Sequence, residues 1–256
     1  MAESILYEQP LNERVRTFLR LEHLFDKEDH FLAYASEWDS RASLSLLLDI
    51  IDMLTRSDVK TELIKEMERH AVTLSNLKQN PGVDLHRLEV ILDDINMNLE
   101  VLRDSKYQPG HVLRQDELIT SIKQRSSIPG GSCNFDLPAY HYWLQRDQSQ
   151  RSTDLDRWRE DLLVIKKSIR LALLMIRNSA NPVIEQAVNG FFQKPIEGNV
   201  ACQMIRVALP VNSSYFPEIS GGKHRFTVRF MEQESTDQRP TQTKHSIEFE
   251  LHCCIL

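Results

Sequence analysis

The chain has 256 residues, is 41% hydrophobic, and carries a formal net charge of −6 with a pI near 5.9. That length and apolar content exclude a disordered chain and allow one large domain or two small ones. The acidic balance excludes a protein that coats nucleic acid through bulk charge, because phosphate binding needs a concentrated basic surface.

The opening MAESILYEQPLNER is acidic where a secretory leader is basic, and it lacks the leader's apolar run. The longest uninterrupted apolar stretch, Leu171 to Ile176, falls far short of the roughly 18 residues of a membrane span. The expectation is a soluble cytoplasmic protein with no membrane insertion. Four cysteines, at 133, 202, 253 and 254, are too few and too irregular for a disulfide framework or a paired C-x-x-C metal site. Cys253-Cys254-Ile255-Leu256 matches the C-a-a-X prenylation pattern. No polybasic segment precedes it, and Ile247, Phe249, Leu251 and Cys253 alternate as in a strand, so the tail is expected to be packed.

Along the chain, Ile5-Leu6-Tyr7 reads as an edge strand tied to the sheet of the far end of the chain. In the first helix Val15, Phe18, Leu19, Glu22 and Phe25 recur at helical spacing, which places Arg16, Arg20 and His23 on the opposite side. Further helices are expected at about 40–56, from Asp58 to about 79, and from Asp84 to about 104, with Asn80-Pro81-Gly82 as a break. Pro109-Gly110 precedes a helix near 115–126 that Pro129-Gly130-Gly131 stops, and Pro138 sits in the first turn of a short helix. Leu155, Trp158, Leu162, Ile165, Ile169, Ala172 and Ile176 predict one long packed helix. Thr153 and Asp156 read as its capping box, and Leu171 to Ile176 are apolar all round, as in a helix buried on every side.

After Asn181-Pro182, strands are expected at 186–194, 200–209, 224–232 and 244–254. Phe226, Val228 and Phe230 share one face, with Arg225, Thr227 and Arg229 on the other; Ile247, Phe249 and Leu251 repeat the pattern against Glu248 and Glu250. Pairing of these two strands would set arginines against glutamates. The whole is an α+β layout: a helical domain over 11–180, where dimerisation is expected, and an antiparallel strand domain from 1–10 and 182–256.

The usual nucleotide, zinc and hydrolase signatures are absent, and the nine histidines are scattered. The expectation is a non-enzymatic protein without metal or cofactor. The alternative is a thiol-dependent hydrolase or transferase using Cys133 and His141, against the plainer reading of a glycine turn beside a small buried cysteine. His141 lies among Tyr140, Tyr142 and Trp143, which form either a ligand-burying aromatic cluster or plain core. A nucleic-acid scaffold is a third reading that the acidic pI opposes. The arginines make the better case. Residues 200–230 hold Arg206, Lys223, Arg225 and Arg229 against Glu218 alone, and with Arg16, Arg20, Arg114, Lys123 and Arg125 they suit one basic concavity that pairs with a partner's carboxylates. For each arginine taken singly, a solvated face or local salt bridge is the commoner role.

Several segments together resemble the bacterial ZapD family. They are Tyr7 to Glu22 (YEQPLNERVRTFLRLE), TELIKEME at 61–68, SIPGGSCNFDLPAYHYWL at 127–144, NGFFQ at 189–193, YFPEISGGKHRFTVRFM at 215–231 and FELHCC at 249–254. The resemblance implies a helical domain plus a strand domain, a homodimer at the division site, and a basic pocket for the C-terminal tail of the tubulin-like protein FtsZ. It implies bundling of FtsZ filaments and no catalysis. By motif position it assigns tail binding to Arg20, beside Arg16, and to His141, with Arg56, Arg225 and Arg229 as further contacts. Glu117 stands where some relatives are expected to carry a basic residue, with Arg114 or Lys123 compensating.

Overall fold

The computed structural model describes residues 4–78, 82–196, 202–222 and 224–255. Contacts divide the chain into two compact units, residues 18–172 and residues 1–17 with 173–256. The element order begins with strand β1 (Ser4–Pro10) and continues with helices α1 (Glu13–Leu32), α2 (Glu37–Arg56), α3 (Val59–Leu77), α4 (Leu85–Arg103), α5 (His111–Gln115), α6 (Glu117–Arg125), α7 (Pro138–Leu144), α8 (Gln148–Arg159) and α9 (Leu163–Asn178). The division between units falls inside α1 and inside α9.

In the helical unit the starts of α2, α3, α4 and α6 are marked by a side chain that takes up otherwise unpaired N–H groups. Ser36 and Asp39 exchange hydrogen bonds with each other's backbone N–H (3.2 and 3.0 Å) as a capping box on α2, which therefore starts earlier than the expected residue 40. Asp58 caps α3 through Thr61 N–H and Asp84 caps α4 through Arg87 N–H. Asp116 ends α5 and caps α6, accepting from the N–H groups of Leu118 and Ile119. The helix expected near 115–126 is α6, and the short α5 precedes it as an element the sequence reading did not expect.

The long helix expected over 155–176 is two, α8 and α9, joined by a 3-10 turn at Glu160–Leu162. The apolar spacing runs through the joint, but there the carbonyl of Asp161 accepts the Tyr107 hydroxyl (2.7 Å) and its carboxylate accepts Val112 N–H (3.1 Å). Thr153 and Asp156 are not its cap. Thr153 lies inside α8, its hydroxyl donating to the Ser149 carbonyl at 2.8 Å. The last turns are not enclosed either, since Leu174 is 49% exposed.

The helical core is built from Phe18, Leu21, Phe25, Leu47, Ile50, Leu63, Met67, Ile95, Trp158 and Ile165. Buried Arg151 fastens it by donating to Ser40 Oγ and to the carbonyls of Leu144, Ala35 and Arg146. A second tie joins α1 to α9: Lys166 and Arg170 both reach Asp29, and Arg170 also reaches Asp26 at 2.6 Å. Burial opposes ionisation of Asp29, yet Lys166 and Arg170 hold its carboxyl below the usual range.

The strand unit is two antiparallel sheets. After β1 come β2 (Val183–Ala187), β3 (Phe191–Pro195), β4 (Cys202–Pro210), β5 (Phe216–Gly221), β6 (Arg225–Glu232), β7 (Thr241–Gln242) and β8 (Ile247–Ile255). One sheet has the order β1-β4-β8-β2; the other has β3-β6-β5, with β7 pairing β6. The N-terminal strand is an edge, as its position before Pro10 anticipates. The strand expected at 186–194 is broken by Asn189-Gly190, both at positive φ (53° and 68°), the signature of a tight two-residue turn. A Cβ on Gly190 would lie 2.6 Å from the Thr243 carbonyl oxygen, so glycine is required for the close approach as well. Positions 200 and 201 of the next expected strand lie outside the described residues.

The two C-terminal strands do not pair with each other. β6 and β8 belong to different sheets and meet face to face: Phe226, Val228 and Phe230 join Ile247, Phe249 and Leu251 in one core, with the Phe230 and Phe249 rings 5.0 Å apart. The alternating apolar faces are as read, but they pack across the sandwich instead of side by side. Arg229 consequently sits opposite Glu218 of β5, not opposite a glutamate of β8.

Candidate functional site

In the helical unit, Arg56 and Arg114 line one cavity of ≈ 490 Å³ together with Lys60, Asp58 and Tyr107. Arg56 ends α2 and the α3 cap Asp58 follows two residues later, so the sharp turn between the helices presents both side chains. Lys60 fixes the opposite wall by donating to the carbonyls of Asp104 (3.0 Å) and Tyr107 (2.7 Å). Gly110 starts α5, and so places Arg114, at φ 72°; a Cβ there would lie 1.8 Å from Ile51 Cδ1. Thr61 holds the Asp58 carboxyl below its usual range through side-chain and backbone hydrogen bonds, so the cavity carries three cationic side chains and one carboxylate already engaged with its own helix. Such a site can pair a carboxylate or another small anionic group through guanidinium forks. Lys60 was not singled out by sequence; its spacing of four from Arg56 was the available signal.

The other candidates sort by whether the chain already neutralises them. Arg16 pairs with Glu13 at 3.1 Å, Lys123 with Asp52 at 2.7 Å, and Arg125 with Asp136 at 3.6 Å. Arg206 pairs with Glu8 at 2.9 Å, and Arg177 binds the same carboxylate through Nε and Nη2. Burial pushes Glu8 up, but Arg177 and Arg206 outweigh it and hold the carboxyl low. Lys223 lies outside the described residues. Among the described residues, Arg20, Arg56, Arg114, Arg225 and Arg229 take part in no ion pair. Arg20 is exposed on α1, four residues beyond Arg16, while Arg225 and Arg229 are exposed on the outer face of β6.

His141 is exposed on α7, and its charge acts on Glu37, whose carboxyl is held low chiefly by Arg41 and also by Gln145 and His141. The aromatic cluster around it is divided by the helix. Tyr140 and Trp143 are buried, with Trp143 5.4 Å from the Trp158 ring and its Nε1 donating to Asp154 at 2.9 Å, whereas Tyr142 faces solvent. The buried pair is core. Cys133 donates to the Asp136 carboxylate at 3.2 Å and not to His141. Among the described residues no group of three or more His, Cys, Asp or Glu side chains is placed to hold a metal ion, and no helix is long and apolar enough to cross a membrane.

An α+β chain whose un-neutralised guanidiniums lie on its surface has the makings of a protein that recognises anionic groups on a partner. The model of the ZapD family, described as a cell division protein, matches residues 19–229, and the chain belongs to that family. It is 41% identical to the cell division protein ZapD of Methylococcus capsulatus (strain Bath) across the full length of both chains. It is 40% identical to ZapD of Nitrosomonas eutropha and 38% identical to ZapD of Azoarcus sp. strain BH72, in each case over 98% of this chain and all of the relative. Its role is accordingly in cell division.

Proposed function

We propose that this protein is a non-enzymatic, cytoplasmic division factor that binds the C-terminal tail of FtsZ and, as a homodimer, cross-links FtsZ filaments at the division site. The two units serve as its two domains, the helical one carrying the dimer contact. Tail binding is assigned to Arg20, Arg56, Arg114, Arg225 and Arg229, and to Arg16 and His141. The observation that carries this reading is that the first five of these arginines take part in no ion pair among the described residues while Arg56 and Arg114 share a cavity with Lys60. Charge-assisted hydrogen bonds contribute roughly 1.5 to 3 kcal/mol each, partly offset by ordering of the tail, so each site alone is of modest affinity. A dimer facing a filament that displays many tails makes the second contact intramolecular, and avidity follows.

The test is co-sedimentation with FtsZ polymers. Wild-type protein pellets with the filaments and bundles them. Arg20→Glu and the double variant Arg56→Glu/Arg114→Glu stay folded and dimeric by circular dichroism and analytical ultracentrifugation, and each loses most of the pelleting. Unchanged pelleting with filaments lacking the tail would falsify the mechanism.

A further inference from the structure

The strand unit contains a pair of thiols that partner recognition leaves unused. β4 and β8 are antiparallel with Cys202 opposite Ile255, Met204 opposite Cys254, and Ile205 opposite Cys253. Two residues of β4 advance while β8 advances by one, a bulge with Gln203 as the extra residue. In a regular ladder Cys202 would share a face with Met204. The bulge turns it to the side of Cys253, and both cysteines pack, half-buried, against the sandwich core.

There both thiols line one cavity of ≈ 260 Å³ with Lys194, Ile196, Phe226 and Ile255. The Cys202 thiol donates to the Met204 carbonyl at 3.7 Å, so its proton has an acceptor while Cys253 is neutral. Lys194, paired with Glu185 at 2.9 Å, adds positive charge beside Cys253. The hydrogen bond from Cys202, helped by Lys194 and opposed by burial and Glu185, lowers the Cys253 thiol to about 7. Cys254, on the opposite face of β8, is pushed up to about 12 by burial. One thiol of the pair is therefore a nucleophile near neutral pH and the other a proton donor held against it.

We propose that Cys253 and Cys202 form a thiol–disulfide exchange site for small-molecule disulfides, Cys253 attacking first and Cys202 resolving. The Cys253 thiolate attacks one sulfur of the small disulfide. Its S–S bond breaks, the first small thiolate leaves and is protonated, and a mixed disulfide forms on Cys253. Cys202 then gives up its proton and attacks the Cys253 sulfur. The mixed disulfide breaks, and the second small thiolate leaves and takes that proton. Two electrons pass from the cysteine pair to the small disulfide, and β4 becomes joined to β8.

The test uses the full chain with oxidised glutathione, read by intact mass and peptide mapping. Wild-type protein gains an internal Cys202–Cys253 disulfide without lasting glutathione adduct, Cys202→Ser accumulates the mixed disulfide on Cys253, and Cys253→Ser gives neither product on the same timescale. A persistent adduct on wild-type Cys253, or first reaction at Cys133, overturns the proposal. A measurement that needs no variant guards against misfolding: iodoacetamide at pH 7 labels Cys253 of the wild type roughly tenfold faster than Cys133 or Cys254. Equal rates would also sink it.

Discussion

Residues 18–172 bury Glu28, Glu66, His70, Arg151 and Lys166, whereas the polar side chains buried in the strand unit, Gln203 and Thr243, are neutral. The contrast follows from how each unit fixes its geometry. In the sandwich, backbone ladders set the register and an apolar core suffices. Helices have satisfied their own backbones and can slide past one another, so directional ties such as Arg151 to four acceptors and Asp29 to Lys166 and Arg170 select one packing. The helical unit should therefore be the one whose stability falls between pH 4.5 and about 7. All three tryptophans, Trp38, Trp143 and Trp158, lie in it, so tryptophan fluorescence reports on that unit alone.

The comparison can be broken most forcefully at Phe249, which meets Phe192 and Phe230 in the sandwich core. Phe249→Ala should cost about 4 kcal/mol, read as faster amide hydrogen exchange in β4 and β8 at every pH. Arg151→Met is the helical counterpart. Leaving its carbonyl acceptors unsatisfied should cost about 3 kcal/mol, seen as a lower urea midpoint by tryptophan fluorescence.

Glu28 sharpens the contrast. It is 1% exposed, and burial, reinforced by Asp29 and Asp156, pushes its carboxyl up to about 7 against the pull of Arg159 and Lys166. A carboxyl whose pKa is raised on folding stabilises the fold below its unfolded value, and that stability is lost as pH rises through the folded value. The loss runs from pH 4.5 to about 7 and is on the order of 3 kcal/mol. Glu28→Gln should remove this slope from the tryptophan-monitored stability, and a slope that persists would place the titration elsewhere. Smallest is Asp116→Ala, which removes the α6 cap together with the acceptor of Trp158 Nε1 (2.8 Å) and Arg157 (3.0 Å). It should cost about 1 to 2 kcal/mol and shift the tryptophan emission.

How much of this the sequence disclosed depends on the range over which each feature is decided. Aspartate caps and alternating faces are local, and Asp58, Asp84 and the stripes of β6 and β8 could be read from neighbouring residues. Alternation says which face is apolar but not what it meets, which is why the sequence left open whether β6 and β8 pair side by side. The joint in the long helix depends on Tyr107, far away in sequence, and so left no mark on the apolar spacing. The basic residues show the same limit: Arg206 and Arg225 look equivalent along the chain, and only folding delivers Glu8 to one of them. Arg20 and His141 came from motif position, while the cavity shared by Arg56, Lys60 and Arg114 depends on the 104–110 loop folding back on α3.

The pairing of β1 with β4 also bears on biosynthesis. Residues 4–10 leave the ribosome early, but their partners at 204–210 are made only after the entire helical unit. With synthesis at roughly 5 to 20 residues per second, the first strand waits on the order of ten seconds or more for its neighbour. Throughout that interval it is an unpaired edge, and Arg177, which grips Glu8 from the last turn of α9, is the earliest side chain to arrive that can hold it in place.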